Sequence, residues 1–291
     1  MNMTNKVGVL TLTLSVLCFF SCEKLQMAPG QTIEPTSNAS SLQNTSSAFL
    51  GKTSYQLTSF DKSNLTYYPD GRIWRVQEKD VPSGYYLEFQ YAPNWITATQ
   101  HSPEGKMVQE TFLLNAKGQC YHSDYYGFLL DKNGVWLHSC EYQYNNANQL
   151  VRINLKSDPG GSVFPSRREF TYDAYGDLIR IESFNTTNFK IGEEVFAYTS
   201  ASQPRKVDQY PLNHHYSLAC YADFLPIFGK LNKHLLRSTV HTSFSPQGKA
   251  PIVSNKTVKY NSFNRDGFVL DMDVSYGGNG HKILSTYAIL P

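Results

Sequence analysis

A chain of 291 residues, of which 41% are hydrophobic, 14% aromatic and 17% charged, has the material for one sizeable core. Its formal net charge of +2 becomes +1 once Lys6 is set aside with the amino-terminal leader, which excludes the basic footprint of a nucleic-acid binder.

Residues 1–21 read as a signal peptide. Lys6 is the sole charge before an apolar run from Val7 to Phe20, and Ser21-Cys22 follows. A run of about 14 residues is too short for a membrane-spanning helix and suits a signal core. A small residue directly before a cysteine resembles a bacterial lipoprotein signal, in which Cys22 is acylated and becomes the mature amino terminus. Phe19 stands where that pattern more often has leucine. An ordinary secretory signal cut near Cys22 is the alternative, and both place the mature chain outside the cytoplasm. Acyl chains bury methylenes at about 0.8 kcal/mol each, so such an anchor is stable. Glu23-Lys24, with no aspartate after the cysteine, points to the outer membrane, facing the periplasm or the surface. Residues 22–52 are the lipidated cysteine and a flexible linker rich in Gln, Ser, Thr, Asn and Pro.

One plan recurs through residues 53–291. "REFTYDAYGDLIRIESF" (Arg168–Phe184) alternates up to Tyr172, breaks at four turn-formers ending in Gly176, and alternates again. That is a hairpin signal, in which Asp173 holds a type I turn through its side chain and Gly176 takes the left-handed position of the following bulge. "LTYYPDGRIWRV", "LEFQYAPNWITA", "ETFLLNAKGQCYHS", "CEYQYNNANQLVRI" and "KYNSFNRDGFVLDM" repeat it. The anchoring positions Tyr68, Tyr91, Leu114, Tyr144, Tyr172 and Tyr198 recur about every 23 to 30 residues, a repeat-architecture period. Asn133-Gly134 predicts a two-residue turn that pairs Lys132 with Val135 and Leu129 with His138. The predicted fold class is all-β: an antiparallel meander of hairpins in a single domain, forming a curled sheet or a barrel. A short helical insert at about 211–240 interrupts it and plugs or caps the sheet. Leu218 to Phe228 is apolar on too many sides for a solvated strand, and Pro226 stops a long helix.

The Tyr, Asp and Gly of "YDAYGDLIRI" resemble the YD repeats of large bacterial surface proteins. Repeated hairpins behind a lipoprotein signal, with "GKLNKHLLRST" (Gly229–Thr239), resemble an uncharacterised Bacteroidota lipoprotein family whose domain of unknown function has a porin-like fold. Gly229, Lys233 and Leu235 match the run that ends that family's insert, while Asn232, His234 and Leu236 depart from it. The resemblance implies an antiparallel barrel or strongly curled sheet and supplies no active site. Arms such as Cys140 to Tyr144 fall short of the roughly 9 to 11 residues of a transmembrane strand, which predicts a domain beside the membrane.

Cys120-Tyr121-His122 is mirrored by His138-Ser139-Cys140, the donor types of a structural zinc site. The Asn133-Gly134 register puts the two halves on opposite faces, so no metal and no cofactor are expected. Cys120, Cys140 and Cys220 cannot all pair within the chain; a bridge to Cys220 and three free thiols both remain open. His214-His215 has no acidic partner at useful spacing. Asp266, Asp271 and Asp273 lack the glycine pattern of a calcium loop. No Gly-x-Ser-x-Gly elbow and no phosphate loop occurs. The candidate contacts are aromatic: Tyr85 and Tyr86, and Tyr125 and Tyr126, whose flat faces suit sugar rings or a partner protein. These features predict a lipid-anchored, non-enzymatic envelope protein that binds a protein or glycan partner and no nucleic acid. The alternative is a glycan-directed hydrolase with two carboxylates in a barrel mouth, for which Glu88, Glu169 and Glu182 are the acids at hand.

Overall fold

The structure, a computed structural model, describes residues 55–81, 84–128, 134–157, 166–200, 225–230 and 232–289. The signal peptide, Cys22, the linker, Cys220, His214-His215 and the expected insert helix before Leu225 lie outside these residues. Sixteen strands are described: β1 (Tyr55–Phe60), β2 (Ser63–Tyr67), β3 (Ile73–Glu78), β4 (Tyr86–Ala92), β5 (Trp95–Ser102), β6 (Gly105–Leu114), β7 (Cys120–Phe128) and β8 (Gly134–Tyr144), then β9 (Leu150–Ser157), β10 (Arg167–Tyr172), β11 (Leu178–Phe184), β12 (Lys190–Tyr198), β13 (Leu236–Ser243), β14 (Ile252–Phe263), β15 (Val269–Tyr276) and β16 (Asn279–Ile289). Each pairs antiparallel with its sequence neighbours, and β1 closes on β16, so the meander is a closed barrel. Turns after even-numbered strands share one end, the base; turns after odd-numbered strands share the other, the mouth.

The repeat is explained at the base. Asp173 Oδ1 accepts the backbone N–H groups of Tyr175, Gly176 and Asp177 at 2.9 Å each, and Gly176 sits at φ +94°. Asn115, Asn145 and Asn264 hold their turns in the same way through two backbone N–H groups apiece. The hydroxyls of Tyr91, Tyr144, Tyr172, Tyr198 and Tyr260, near the base ends of β4, β8, β10, β12 and β14, donate to the carbonyls of Ile73, Cys120, Leu150, Leu178 and Leu236. Each acceptor is the first residue of the preceding strand. The ring body packs on the core while the hydroxyl satisfies a carbonyl at the rim, so tyrosine recurs once per hairpin. β6 carries Leu114 at that place.

Polarity runs opposite to that of a transmembrane barrel. Leu57, Phe89, Phe112, Ile153, Ile181, Phe196 and Met272 point inward and are buried. The outer wall carries ion pairs such as Arg152–Glu169, Lys156–Glu141, Arg180–Glu193 and Lys282–Asp271. A lipid-facing wall needs an apolar band at those positions. Strand length is no discriminator here: β8 runs 11 residues, longer than its sequence pattern predicts.

The predicted turn at Asn133-Gly134 is displaced. Gly127 pairs with Val135 and Phe128 with Gly134, so the connection is longer than two residues. Two bulges then reset the faces. Leu137 is the extra residue between the Tyr126–Trp136 and Tyr125–His138 pairs, and Tyr121 is the extra residue between Leu114–Cys120 and Leu113–His122. Cys120 and Cys140 therefore share the inner face, contrary to the sequence expectation, and both are buried free thiols.

Candidate functional site

Residues 225–230 and 232–235 pack at the barrel base before β13 as a plug; residues 236–240, expected in the insert, belong to β13. Leu225, Ile227 and Phe228 are buried. The Phe228 ring meets Phe112 edge-on at 6.2 Å and lies 5.1 Å from Tyr142. Where β6 lacks its tyrosine, the Cys120 N–H donates to the Ile227 carbonyl at 2.8 Å. Gly229, at φ +81°, bridges Gln149. Asn232 Oδ1 accepts the Leu178 N–H at 2.9 Å. Buried Asp177 accepts the N–H groups of Lys233 and His234 through Oδ1 at 2.6 and 3.0 Å, and its Oδ2 meets His234 Nδ1.

Above the plug the inner wall turns polar. Glu110, only 1% exposed, accepts a 3.0 Å hydrogen bond from Ser123 Oγ, which also lies 3.0 Å from the Tyr142 hydroxyl. Arg168 and Glu194 share this face, opposite Ile153 and Ile181 respectively. Burial lowers the Arg168 pKa, and the Glu194 charge opposes that shift. Burial pushes the Cys140 thiol up to about 12, the Cys120 thiol well up and the Tyr142 phenol well up. Thiols held protonated are poor nucleophiles and poor metal ligands. Among the described residues no group of three or more His, Cys, Asp or Glu side chains is placed to hold a metal ion.

Tyr125 faces this lumen, stacked on His138 at 4.6 Å. Burial lowers the His138 pKa below 6.5. The unfolded chain then holds the proton more tightly, so the stability contributed by the neutral ring is complete above about pH 6.5 and is lost as pH falls toward the folded value. The melting temperature of His138→Phe is therefore expected to fall less between pH 7 and pH 5 than that of the parent. Thermal melts at the two pH values check this, and an equal fall places the titration elsewhere.

The outer wall of β3 and β4 carries an aromatic ledge. Trp74 is the extra residue of a bulge between the Tyr67–Ile73 and Thr66–Arg75 pairs, and it is 37% exposed. The Arg75 guanidinium is held between two rings, 4.6 Å from the centroid of Trp74 and 3.8 Å from that of Tyr86. Tyr86 stacks in turn on His101 at 4.6 Å. Arg75 Nη2 reaches Glu88 Oε2 at 3.4 Å, and Gln90 donates to Glu88 at 3.2 Å. The result is a layered stack of Trp74, Arg75, Tyr86 and His101 on the outer wall, with the Glu88 carboxylate and the Gln90 amide beside it.

Of the aromatic candidates, the structure places Tyr86 in this ledge and Tyr85 half-buried just before it. Tyr125 and Tyr126 lie on opposite faces of β7 and share no surface; Tyr126 pairs with Gln109 and Trp136. Glu88, Glu169 and Glu182 lie on the outer wall, paired with Arg75, with Arg152 and Arg167, and with Lys190. None of them lines the mouth. The inward charges were readable: counting back in twos from Leu114, Tyr172 and Tyr198 gives Phe112 and Glu110, Phe170 and Arg168, and Phe196 and Glu194. The ledge depends on the Trp74 bulge, which the sequence does not announce.

No curated protein matches the chain. Solved structures share its fold, two of them porin-like proteins. A porin-like protein from Bacteroides uniformis ATCC 8492 is 16% identical at a TM-score of 0.54, over 78% of this chain and 89% of that one. A porin-like protein from Bacteroides vulgatus ATCC 8482 is 14% identical at the same TM-score, over 81% of this chain and 100% of that one. The model of the domain of unknown function with porin-like fold, DUF4595, matches residues 64–267. Its closed barrel and its match across most of the strands make this chain a member of the DUF4595 family of porin-like folds.

Proposed function

We propose that this protein is a lipid-anchored, non-enzymatic module of the outer membrane, tethered through Cys22, that binds a glycan or protein partner on the ledge of β3 and β4. The observation that carries this reading is the Trp74–Arg75–Tyr86–His101 stack, in which Trp74 stays 37% exposed beside groups able to hydrogen-bond hydroxyls. Flat aromatic faces flanked by planar polar groups suit sugar rings, and aromatic–Arg clusters are favoured contact centres at protein interfaces. The outer ion pairs support a barrel bathed in water beside the membrane. The hydrolase alternative loses its named acids, which are neutralised by cations on the outer wall.

The test uses the full chain carrying Cys22→Ser on a glycan array and in pull-downs, beside a Trp74→Ala, Tyr86→Ala pair. Saturable binding weakened at least about tenfold by the pair, a loss of about 1.4 kcal/mol, is the expected result. Equal binding by both proteins would move the contact surface away from the ledge.

A further inference from the structure

We propose that the barrel base docks on an anionic membrane surface through Lys117, Lys230 and Lys233. The tether at Cys22 leads to this end. Tyr55 opens β1 at the base, where its hydroxyl bonds Asp266 of the β14–β15 turn, and 32 residues separate it from Cys22. The chain enters the barrel at the base, the same end that carries Lys117, Lys230 and Lys233.

Charge at this end supports the same arrangement. Asp70 and Asp266 are paired with Arg72 and Arg265, Asp177 is buried against His234, and the Asp173 carboxylate holds three backbone N–H groups of its turn. Lys117, Lys230 and Lys233 are exposed, and no carboxylate pairs with them among the described residues. Among the described residues Lys117 donates to the neutral Asn148 side chain, at 3.3 Å. A cleft of about 390 Å³ opens between the plug and the β6–β7 and β8–β9 turns, lined by Lys117, Gln119, Asn148 and Lys230 among others. Two ammonium groups and two amides beside an open cleft are the donors that the phosphate of an anionic lipid headgroup accepts from, with lysine acting as a point charge. Basic residues held near a membrane surface are attracted to anionic lipid within a Debye length.

The experiment is vesicle flotation of the mature chain from residue 22 carrying Cys22→Ser, so that neither the apolar signal run nor an acyl chain contributes. Phosphatidylcholine vesicles are compared with vesicles of phosphatidylcholine and phosphatidylglycerol. Binding to the anionic vesicles alone, weakening as salt rises, is expected. A Lys117→Ala, Lys230→Ala, Lys233→Ala variant is expected to lose roughly 100-fold in partitioning, about fivefold per lysine. Because all three side chains are exposed, an unchanged thermal melt establishes that this variant is folded. No anionic binding, equal binding to neutral vesicles, or undiminished binding by the triple variant each overturns the proposal. Labelling the wild-type chain and the Cys22→Ser variant with alkynyl palmitate in a bacterial host reads the tether separately. Failure of acylation removes the tether, whereas failure of flotation removes the docking surface.

Discussion

Phe228→Ala is expected to lower the unfolding free energy by about 3–5 kcal/mol, the range for deleting a fully buried phenylalanine. Phe228 is 0% exposed and fills the space between Phe112 and Tyr142. Both neighbours sit on strands fixed in a closed ladder, so they cannot collapse into the vacated volume, and the cavity term adds to the lost transfer energy. Urea unfolding of the parent, Phe228→Ala and Phe228→Leu checks this. The leucine variant, which keeps most of the volume, is expected to cost less than alanine. A loss below about 1 kcal/mol for alanine would mean that the plug contributes little to the core.

Gly229→Ala is expected to cost about 2–4 kcal/mol for a different reason. A Cβ at this position would lie 2.3 Å from the Asn148 carbonyl oxygen and 3.1 Å from the Tyr144 ring, and the backbone is at φ +81°. Neither neighbour yields easily. The carbonyl accepts the Lys230 N–H at 2.8 Å, and the Tyr144 hydroxyl is bonded to the Cys120 carbonyl. Gly71 is the matched control, with φ +85° and nothing within 4 Å of its added Cβ. Gly71→Ala carries only the left-handed backbone penalty, about 1–2 kcal/mol. The excess for Gly229→Ala in parallel urea melts measures the close approach itself, and equal losses would show that the plug shifts to accommodate a methyl group.

The hairpin plan was legible because one stretch of sequence determines each turn. Asp173 and Gly176 do in the structure what their chemistry requires, and the recurrent tyrosines mark the rim that they stitch. Closure was not legible, since the β1–β16 pairing joins residues with no local signal between them. The face of Cys120 was misread because the Tyr121 bulge shifts its alternation by one residue, whereas the Leu137 bulge only offsets the displaced turn, and a bulge in an aromatic-rich strand has no compositional mark. The ledge shares that difficulty through Trp74. The lumenal Glu110, Arg168 and Glu194 were missed for a simpler reason: a charged residue in an alternating strand is ordinarily placed outside, although here its parity puts it inside.

The β1–β16 seam also sets an order of events during folding. Tyr55 pairs with Ile289 and Phe60 with Ser285, so the first strand made must wait for nearly the last residues before its free edge is satisfied. The other fifteen pairings join neighbours and can zip as the chain emerges, whereas the sixteenth spans almost the whole domain and bears the slow loop-closure entropy. Until it forms, β1 presents an open row of N–H and C=O groups to any passing strand. The folding protein is therefore exposed to misassociation along β1 for as long as β16 has not docked.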